Sequence, residues 1–284
     1  MMFRSLTVRD VVLCVGAALL APIFLLDDRA QAQVHFQADY VVSFARIKVG
    51  DVAVSADIGS AAYAISANGR VGGAIRLLAD GEAHLATRGT IAGARPAPTS
   101  FVFKINSPDD PLDVNMLIDN GNVTELTVLP PSSDGLPVND SDRQGILDPL
   151  SALLIPAEDT GEGLTKEACQ RTLPVFDGRQ RYDLQLAFKR FDRITVNKGY
   201  AGPIVVCSVS YRPIAGHSVS TPLAKYLAES RDIESAFAPV AGARLLAPIR
   251  LLVTNLLANL VIQASRFEIT TPMPTPSNSN PNPP

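Results

Sequence analysis

From about residue 36 to residue 269 the chain alternates apolar and polar positions with a period of two, the pattern of strands with one buried face. Tyr40, Val42 and Phe44 share a face, and a shift at Ala45 and Arg46 precedes Ile47 and Val49. Val52, Val54, Ala56 and Ile58 follow Gly50-Asp51, which reads as a turn. Tyr63, Ile65 and Ala67 run into Asn68-Gly69, a hairpin signal because both residues tolerate positive φ. Asp80-Gly81 separates Ile75 to Leu78 from Ala83 to Thr87 in the same way. Phe101, Phe103 and Ile105 alternate next. Val114, Met116 and Ile118 then lead through Asn120-Gly121 to Thr124, Leu126 and Val128. Short strands at hairpin spacing, with no helices between them to carry parallel crossovers, predict an antiparallel meander.

The pattern breaks at residues 129–145, a loop by composition. In ILDPLSALLIP, Asp148 before Pro149 predicts a helix start, since an Asp side chain accepts from orphan N–H groups and proline suits the first helical position. Leu150, Leu153 and Leu154 form its apolar stripe and Pro156 ends it, a short helix or turn expected to cover one mouth or edge of the sheet. Thr221-Pro222 predicts a second short helix before Leu223, Tyr226 and Leu227. Between these lies a hairpin: Arg171 to Phe176, a two-residue Asp177-Gly178 turn of type I′, and a return strand. That strand places Tyr182, Leu184, Leu186 and Phe188 on the apolar face, and Arg181, Asp183, Gln185 and Lys189 on the wet one. Val205, Cys207, Val209 and Tyr211 share a face in the next strand. The segment from Arg244 to Ile269 supports two readings, a hairpin or an apolar helical stripe; Pro248 favours the hairpin, with an edge strand or bulge at that position. The expected fold is mainly β: an antiparallel meander forming a strongly curved sheet or open barrel-like sandwich, with one or two short helices.

The N-terminus changes the compartment. Arg4 and Arg9 precede an apolar run from Val11 to Leu26, and Ala30-Gln31-Ala32 supplies a small-x-small cleavage site. This predicts a signal peptide over 1–32, cleaved after Ala32. The apolar run is shorter than the ~20 residues a spanning helix needs, so no membrane span is expected after cleavage. Residues 33–269 then form one mainly-β periplasmic domain, and the Pro/Asn/Ser-rich 270–284 a disordered tail. Cys14 lacks the sequence context for lipid attachment and leaves with the leader. Cys169 and Cys207 remain, an even count in an oxidising compartment, and predict a structural disulfide. On the chain-entropy model such a bridge contributes about 4 kcal/mol.

Charge and candidate chemistry narrow the function. The net charge is −3 and stays there without the leader, which takes three basic and three acidic residues with it. No basic block supports binding to nucleic acid. His35, His84 and His217 stand apart without neighbouring ligands, so neither metal nor cofactor is expected. Ser151, Asp148, Asp177 and His217 are the available parts for a hydrolase, but no G-x-S-x-G elbow surrounds Ser151. Arg171, Arg179 and Arg181 suggest a small cationic patch across the hairpin, against which stands pairing with Asp177 and Asp183.

ILDPLSALL at 146–154, CQRTLPVFDGRQRYDL at 169–184, GYAGPIVVCSVSYRPIAGH at 199–217 and the closing APIRLLV…IQASRFE resemble an exported bacterial family, domain of unknown function 3108. The resemblance covers roughly 36–268 and implies a periplasmic protein of Gram-negative bacteria, mostly antiparallel β, with no assigned activity. By analogy, such a curved sheet wraps a helix or an apolar cavity. Two functions are therefore expected ahead of a hydrolase of unknown substrate. One is a non-catalytic envelope protein that binds a lipid or lipoprotein acyl chain on its sheet; the other is a structural protein that binds another envelope protein through sheet edges. A lined cavity would favour the first and a fully packed interior the second.

Overall fold

The computed structural model describes residues 34–72, 81–92, 95–108, 110–131, 135–157, 164–217, 226, 230, 232–255 and 258–271. The leader, residues 73–80 with Asp80, all of the expected 270–284 tail but Thr270 and Thr271, and nearly all of the second expected helix lie outside them.

Among the described residues, fifteen strands form one sheet that does not close on itself. The first seven, β1 (Val34–Phe44), β2 (Ile47–Ile58), β3 (Ala62–Val71), β4 (Glu82–Ala92), β5 (Arg95–Asn106), β6 (Leu112–Asp119) and β7 (Asn122–Leu129), make one antiparallel meander. After a short β8 (Ile155–Pro156) the second meander follows. It comprises β9 (Arg171–Phe176), β10 (Arg181–Thr195), β12 (Ala201–Ala215), β13 (Asp232–Val240), β14 (Leu245–Thr254) and β15 (Leu260–Thr270), with a two-residue β11 (Lys198–Gly199) pairing parallel to β15. The meanders join where β1 pairs β15, His35 opposite Thr270. The outermost strands are β7 and β9.

The sheet curls so that its two halves share one core. Phe101 and Met116 of the first meander pack in the same cluster as Ile204, Ala236 and Ile249 of the second. A smaller core on the other side of β12–β14 collects Val205, Cys207, Phe237 and Leu246, covered by Ala152, Ile155 and the 3-10 turn Lys166–Cys169. Strands buried on both faces read as continuous apolar runs rather than alternating ones. This is why Ile204 and Val206 are as buried as Val205 and Cys207, where one inward face had been expected. Cys207 is buried against the smaller core and bonded to Cys169, with Cα atoms 5.4 Å apart. The bridge ties the segment entering β9 to β12, two strands away across β10.

Several local expectations are corrected. Asn120-Gly121 does turn, with φ of 49° and 77°. Gly50-Asp51 and Asn68-Gly69 do not: they lie inside β2 and β3, where Val52 faces Gly69 and Asn68 faces His84. The first turn falls at Ala45 and Arg46, whose φ values of 50° and 67° do what the Gly and Asn were expected to do. Gly50 serves close approach instead, since a Cβ there would stand 2.8 Å from the Arg70 carbonyl oxygen. Asp177-Gly178 belongs to a four-residue connection, with the Asp177 carboxylate accepting from the N–H groups of Arg179 (2.8 Å) and Gln180 (2.6 Å). This Asx turn replaces the type I′ geometry. Phe188 keeps the register of Tyr182, Leu184 and Leu186 but is exposed, because β9 ends at Arg171 opposite Leu186 and leaves that stretch of β10 uncovered. Of the two forms expected for ILDPLSALLIP, a short helix or a turn, the structure has the turn, a 3-10 turn at Ser151–Leu153. The last segment is the hairpin β14–β15. Pro248 stands at a register shift, as expected of a bulge, but in an interior strand rather than at an edge.

Candidate functional site

Residues 146–157 form a strap that joins separated parts of the sheet. Ile146 N donates to Gly121 O of the β6–β7 turn at 2.8 Å, while Leu147 exchanges two hydrogen bonds with β9, at 2.7 Å to Pro174 O and 2.9 Å from Phe176 N. The strap then runs beside the first half of β14 as β8, with Leu245 opposite Pro156 and Leu246 opposite Ile155. That place is free because β15 pairs β14 only from Arg250 to Val253. Strap leucines Leu150 and Leu154 enter the main core.

A buried polar cluster anchors the strap. Asp148 Oδ1 accepts from the N–H groups of Leu150 (2.9 Å) and Ser151 (3.1 Å), which carries out the capping expected from the sequence. Its Oδ2 accepts from Ser151 Oγ and from Thr87 Oγ1 at 2.9 Å. Because Ser151 spends its proton on Asp148, Tyr63 OH is the donor in its 2.6 Å bond to Ser151 Oγ. Asp148 and Ser151 are fully buried, and Thr87 and Tyr63 nearly so. Burial pushes the Asp148 carboxyl above the usual carboxylate range, with these hydrogen bonds acting against it. Burial also pushes the Tyr63 hydroxyl well up. With four donors on the carboxylate and no opening to solvent, the cluster is built to hold the strap. His217 is not part of it.

Beside the strap lies an apolar cavity of about 280 Å³. The inner faces of β1–β4 form one wall, including Phe36, Val54 and Ile65. Leu251 and Ile262 of the last hairpin form another, and Leu150, Leu153 and Leu154 of the strap lie over it. Leu153, 40% exposed, marks the mouth. Tyr40 OH donates to Pro248 O at 2.6 Å, which satisfies one polar group on the wall and leaves it greasy. Among the described residues, Arg250 is the one charged residue lining it. A larger groove of about 660 Å³, lined by Asp39, Asp51, Arg70, Glu82 and His84, is polar and mutually charged, and offers no comparable apolar surface. Among the described residues no group of three or more His, Cys, Asp or Glu side chains could hold a metal ion.

The other residues singled out in the sequence fall elsewhere, in closing the sheet. Gly178 (φ 96°) lies against Val114 of β6, so tightly that a Cβ would overlap it. Arg179 donates to Pro130 O at 3.0 Å. Gly216 packs on the Arg179 carbonyl, and Leu136 exchanges backbone hydrogen bonds with Gly216 (2.9 Å) and His217 (3.3 Å). These contacts bring the turn after β9, the end of β12 and the loop after β7 together across the open seam. The three arginines do not form one patch. Arg171 and Arg181 sit at opposite ends of the β9–β10 ladder; Arg171 donates to Glu167 O, and Arg181 bonds Asp183 at 2.7 Å on its own strand. Arg181 and Asp183 are largely buried rather than on the wet face. Tyr182 packs its ring on Tyr211 at 5.3 Å. Pro149, half-buried, follows Asp148 into the strap's turn. Tyr63, Thr87 and Arg250 were missed. Only the inward polar Thr87, two residues after Leu85 in an alternating run, carried a signal.

Such a sheet, open, curled and strapped from within over an apolar cavity, defines a β-barrel-like class of protein. The chain belongs to the family of proteins of unknown function DUF3108, whose model matches residues 39–255. No curated protein matches the sequence. Among solved structures it is similar to a β-barrel-like protein of the domain of unknown function DUF1849 from Brucella abortus. That match has 10% identity and a TM-score of 0.48, over 84% of this chain and 98% of that one. A second, described as a putative lipoprotein from Parabacteroides distasonis, matches at 8% identity and a TM-score of 0.31, over 84% and 95%.

Proposed function

We propose that this is a non-catalytic protein of the cell envelope, exported to the periplasm, that binds an acyl chain between the inner face of the sheet and the strap. The observation that carries this reading is the cavity itself. Its wall is almost wholly aliphatic and aromatic, it opens beside a partly exposed leucine, and the strap above it is held by a polar cluster that has no free group to offer a substrate. Apolar walls with few polar groups are the usual composition of small-ligand sites. Export is supported by the leader-like N-terminus and by the Cys169–Cys207 disulfide, which persists in oxidising compartments. No helix among the described residues is long and apolar enough to cross a membrane. The alternative, a structural protein that recruits an envelope protein through its sheet edges, has less to rest on, because Leu147 already occupies part of the free edge of β9. Native mass spectrometry of the protein purified from a bacterial periplasm, with extraction of bound molecules, tests the choice. A retained lipid mass that disappears in Ala67→Trp, which fills the cavity, is the expected result. A lipid mass unchanged by that substitution would place the binding elsewhere.

A further inference from the structure

The first turn of the sheet carries side chains that a turn does not need. Phe44, Ala45, Arg46, Ile47 and Lys48, at the tip of the β1–β2 hairpin, are five exposed residues in a row, with Ile47 57% exposed. Apolar residues exposed singly are ordinary, but an apolar tip flanked by cations is not. Ala45 and Arg46 form a two-residue loop in which both have positive φ, the geometry for which Asn-Gly is the favoured pair. Other side chains held there cost stability, and such outliers cluster where the side chain has a use. We propose that this tip docks on an anionic phospholipid surface: Phe44 and Ile47 enter the acyl region and Arg46 pairs with lipid phosphate. This stands independently of what the cavity holds.

The tip is braced at its base. Ala45 N donates to Asn259 O at 3.1 Å, and Phe44 stands opposite Leu260, so β15 supports the hairpin from the other side. Tyr226 sets its ring edge-on to Phe44 at 5.9 Å, and its hydroxyl accepts from Leu260 N at 3.1 Å and donates to Ala258 O at 3.0 Å. Charge selects the surface. Lys48 is answered by Asp51 at 2.7 Å, whereas among the described residues no hydrogen bond or ion pair holds the Arg46 side chain. The chain as a whole carries −3, so attraction to an anionic surface has to be local, and here it is one uncommitted cation between two large apolar side chains. Apolar side chains beside basic ones are the composition of segments that lie in a membrane interface.

The test sediments the exported protein at low salt with vesicles of phosphatidylglycerol and phosphatidylethanolamine, and with vesicles of phosphatidylcholine alone. The anionic vesicles are expected to bind about fivefold more tightly, the value of one basic residue near such a surface. Arg46→Gln is expected to remove that preference, and Ile47→Asp to abolish sedimentation with either vesicle. Both positions are exposed, so the melting temperature should not move. Phe191→Ser serves as the control, since Phe191 is 53% exposed on β10, outside the tip, and its loss should change nothing. A wild-type protein that stays in solution with both vesicles, the outcome if the tip instead docks on a protein, would overturn the proposal. So would binding that survives Ile47→Asp, or a loss as large in Phe191→Ser. A preference for anionic vesicles that survives Arg46→Gln would overturn the role of Arg46.

Discussion

Asp148 illustrates what one residue can and cannot disclose. Its place before Pro149 announced a capping carboxylate, and the bonds to Leu150 N and Ser151 N carry that out. Its other partners were invisible, because Thr87 and Tyr63 lie 61 residues from Asp148 and 88 from Ser151 in strands whose alternation says only which way they face. Removal of the carboxylate leaves buried N–H and O–H donors without an acceptor, each costing about 1–3 kcal/mol. Asp148→Ala should therefore destabilise the fold by about 3 kcal/mol or more, read as a fall in the urea midpoint. Asp148→Asn should cost less, since the amide oxygen still accepts from the two backbone donors and the hydroxyls can rotate to accept from its NH₂. Equal losses for the two variants would mean that the cluster contributes through packing rather than through these hydrogen bonds.

At the scale of elements, strand faces were legible and turn positions were not. Val114, Met116 and Ile118 are buried while their neighbours are half-buried or exposed, as alternation requires. Glycine in this chain, by contrast, often marks backbone approaching backbone. Gly50 packs on Arg70 and Gly216 on Arg179, and a composition-based reading cannot distinguish that use from a turn. The last hairpin was equally undecidable by period, because its first strand is apolar on both faces over most of its length. Gly216 is where this matters most. It has φ of 74°, and a Cβ would overlap the Arg179 carbonyl oxygen and press on Val138. Gly216→Ala should therefore loosen the seam between the ends of the sheet. The expected readouts are faster amide exchange at Arg179 and Leu136 and a lower melting temperature. Unchanged exchange at both positions would show that the seam is held from elsewhere. The disulfide acts nearby but differently, since its separation of 38 residues restrains the unfolded chain. Replacing Cys169 and Cys207 together by Ser should cost about 4 kcal/mol on the chain-entropy model, with a parallel drop in melting temperature. An unchanged melting temperature would mean that the bridge contributes nothing to stability.

For the whole molecule, the sheet is stitched by charge as well as by covalent bond, and pH distinguishes the two. Lys189 and Arg190 at the β10 bulge reach across β12 to Asp232 and Glu234 of β13, Lys189 lying 2.5 Å from Asp232. Arg190, with Lys189 beside it, holds the Glu234 carboxyl down from 4.5 to about 2. A carboxyl whose folded value lies below its unfolded one stabilises the fold above the unfolded value, and that stability is lost as pH falls toward the folded one. Glu234 should therefore contribute fully above pH 4.5 and lose its contribution between there and about 2. Asp148 and Asp177 work in the opposite sense, because burial pushes both carboxyls up and so favours the fold at lower pH. A single acid-denaturation curve mixes these signs. The informative quantity is the stability difference between the wild-type protein and Glu234→Gln, in which the contributions of Asp148 and Asp177 cancel. That difference should be constant near neutrality and shrink toward zero on acidification through the stated window. Since the pairs are partly exposed, added salt should reduce it at every pH. A difference that stayed constant down to pH 2 would mean that the β10–β13 ion pairs contribute nothing, leaving the two cores, the strap and the disulfide to hold this end of the sheet.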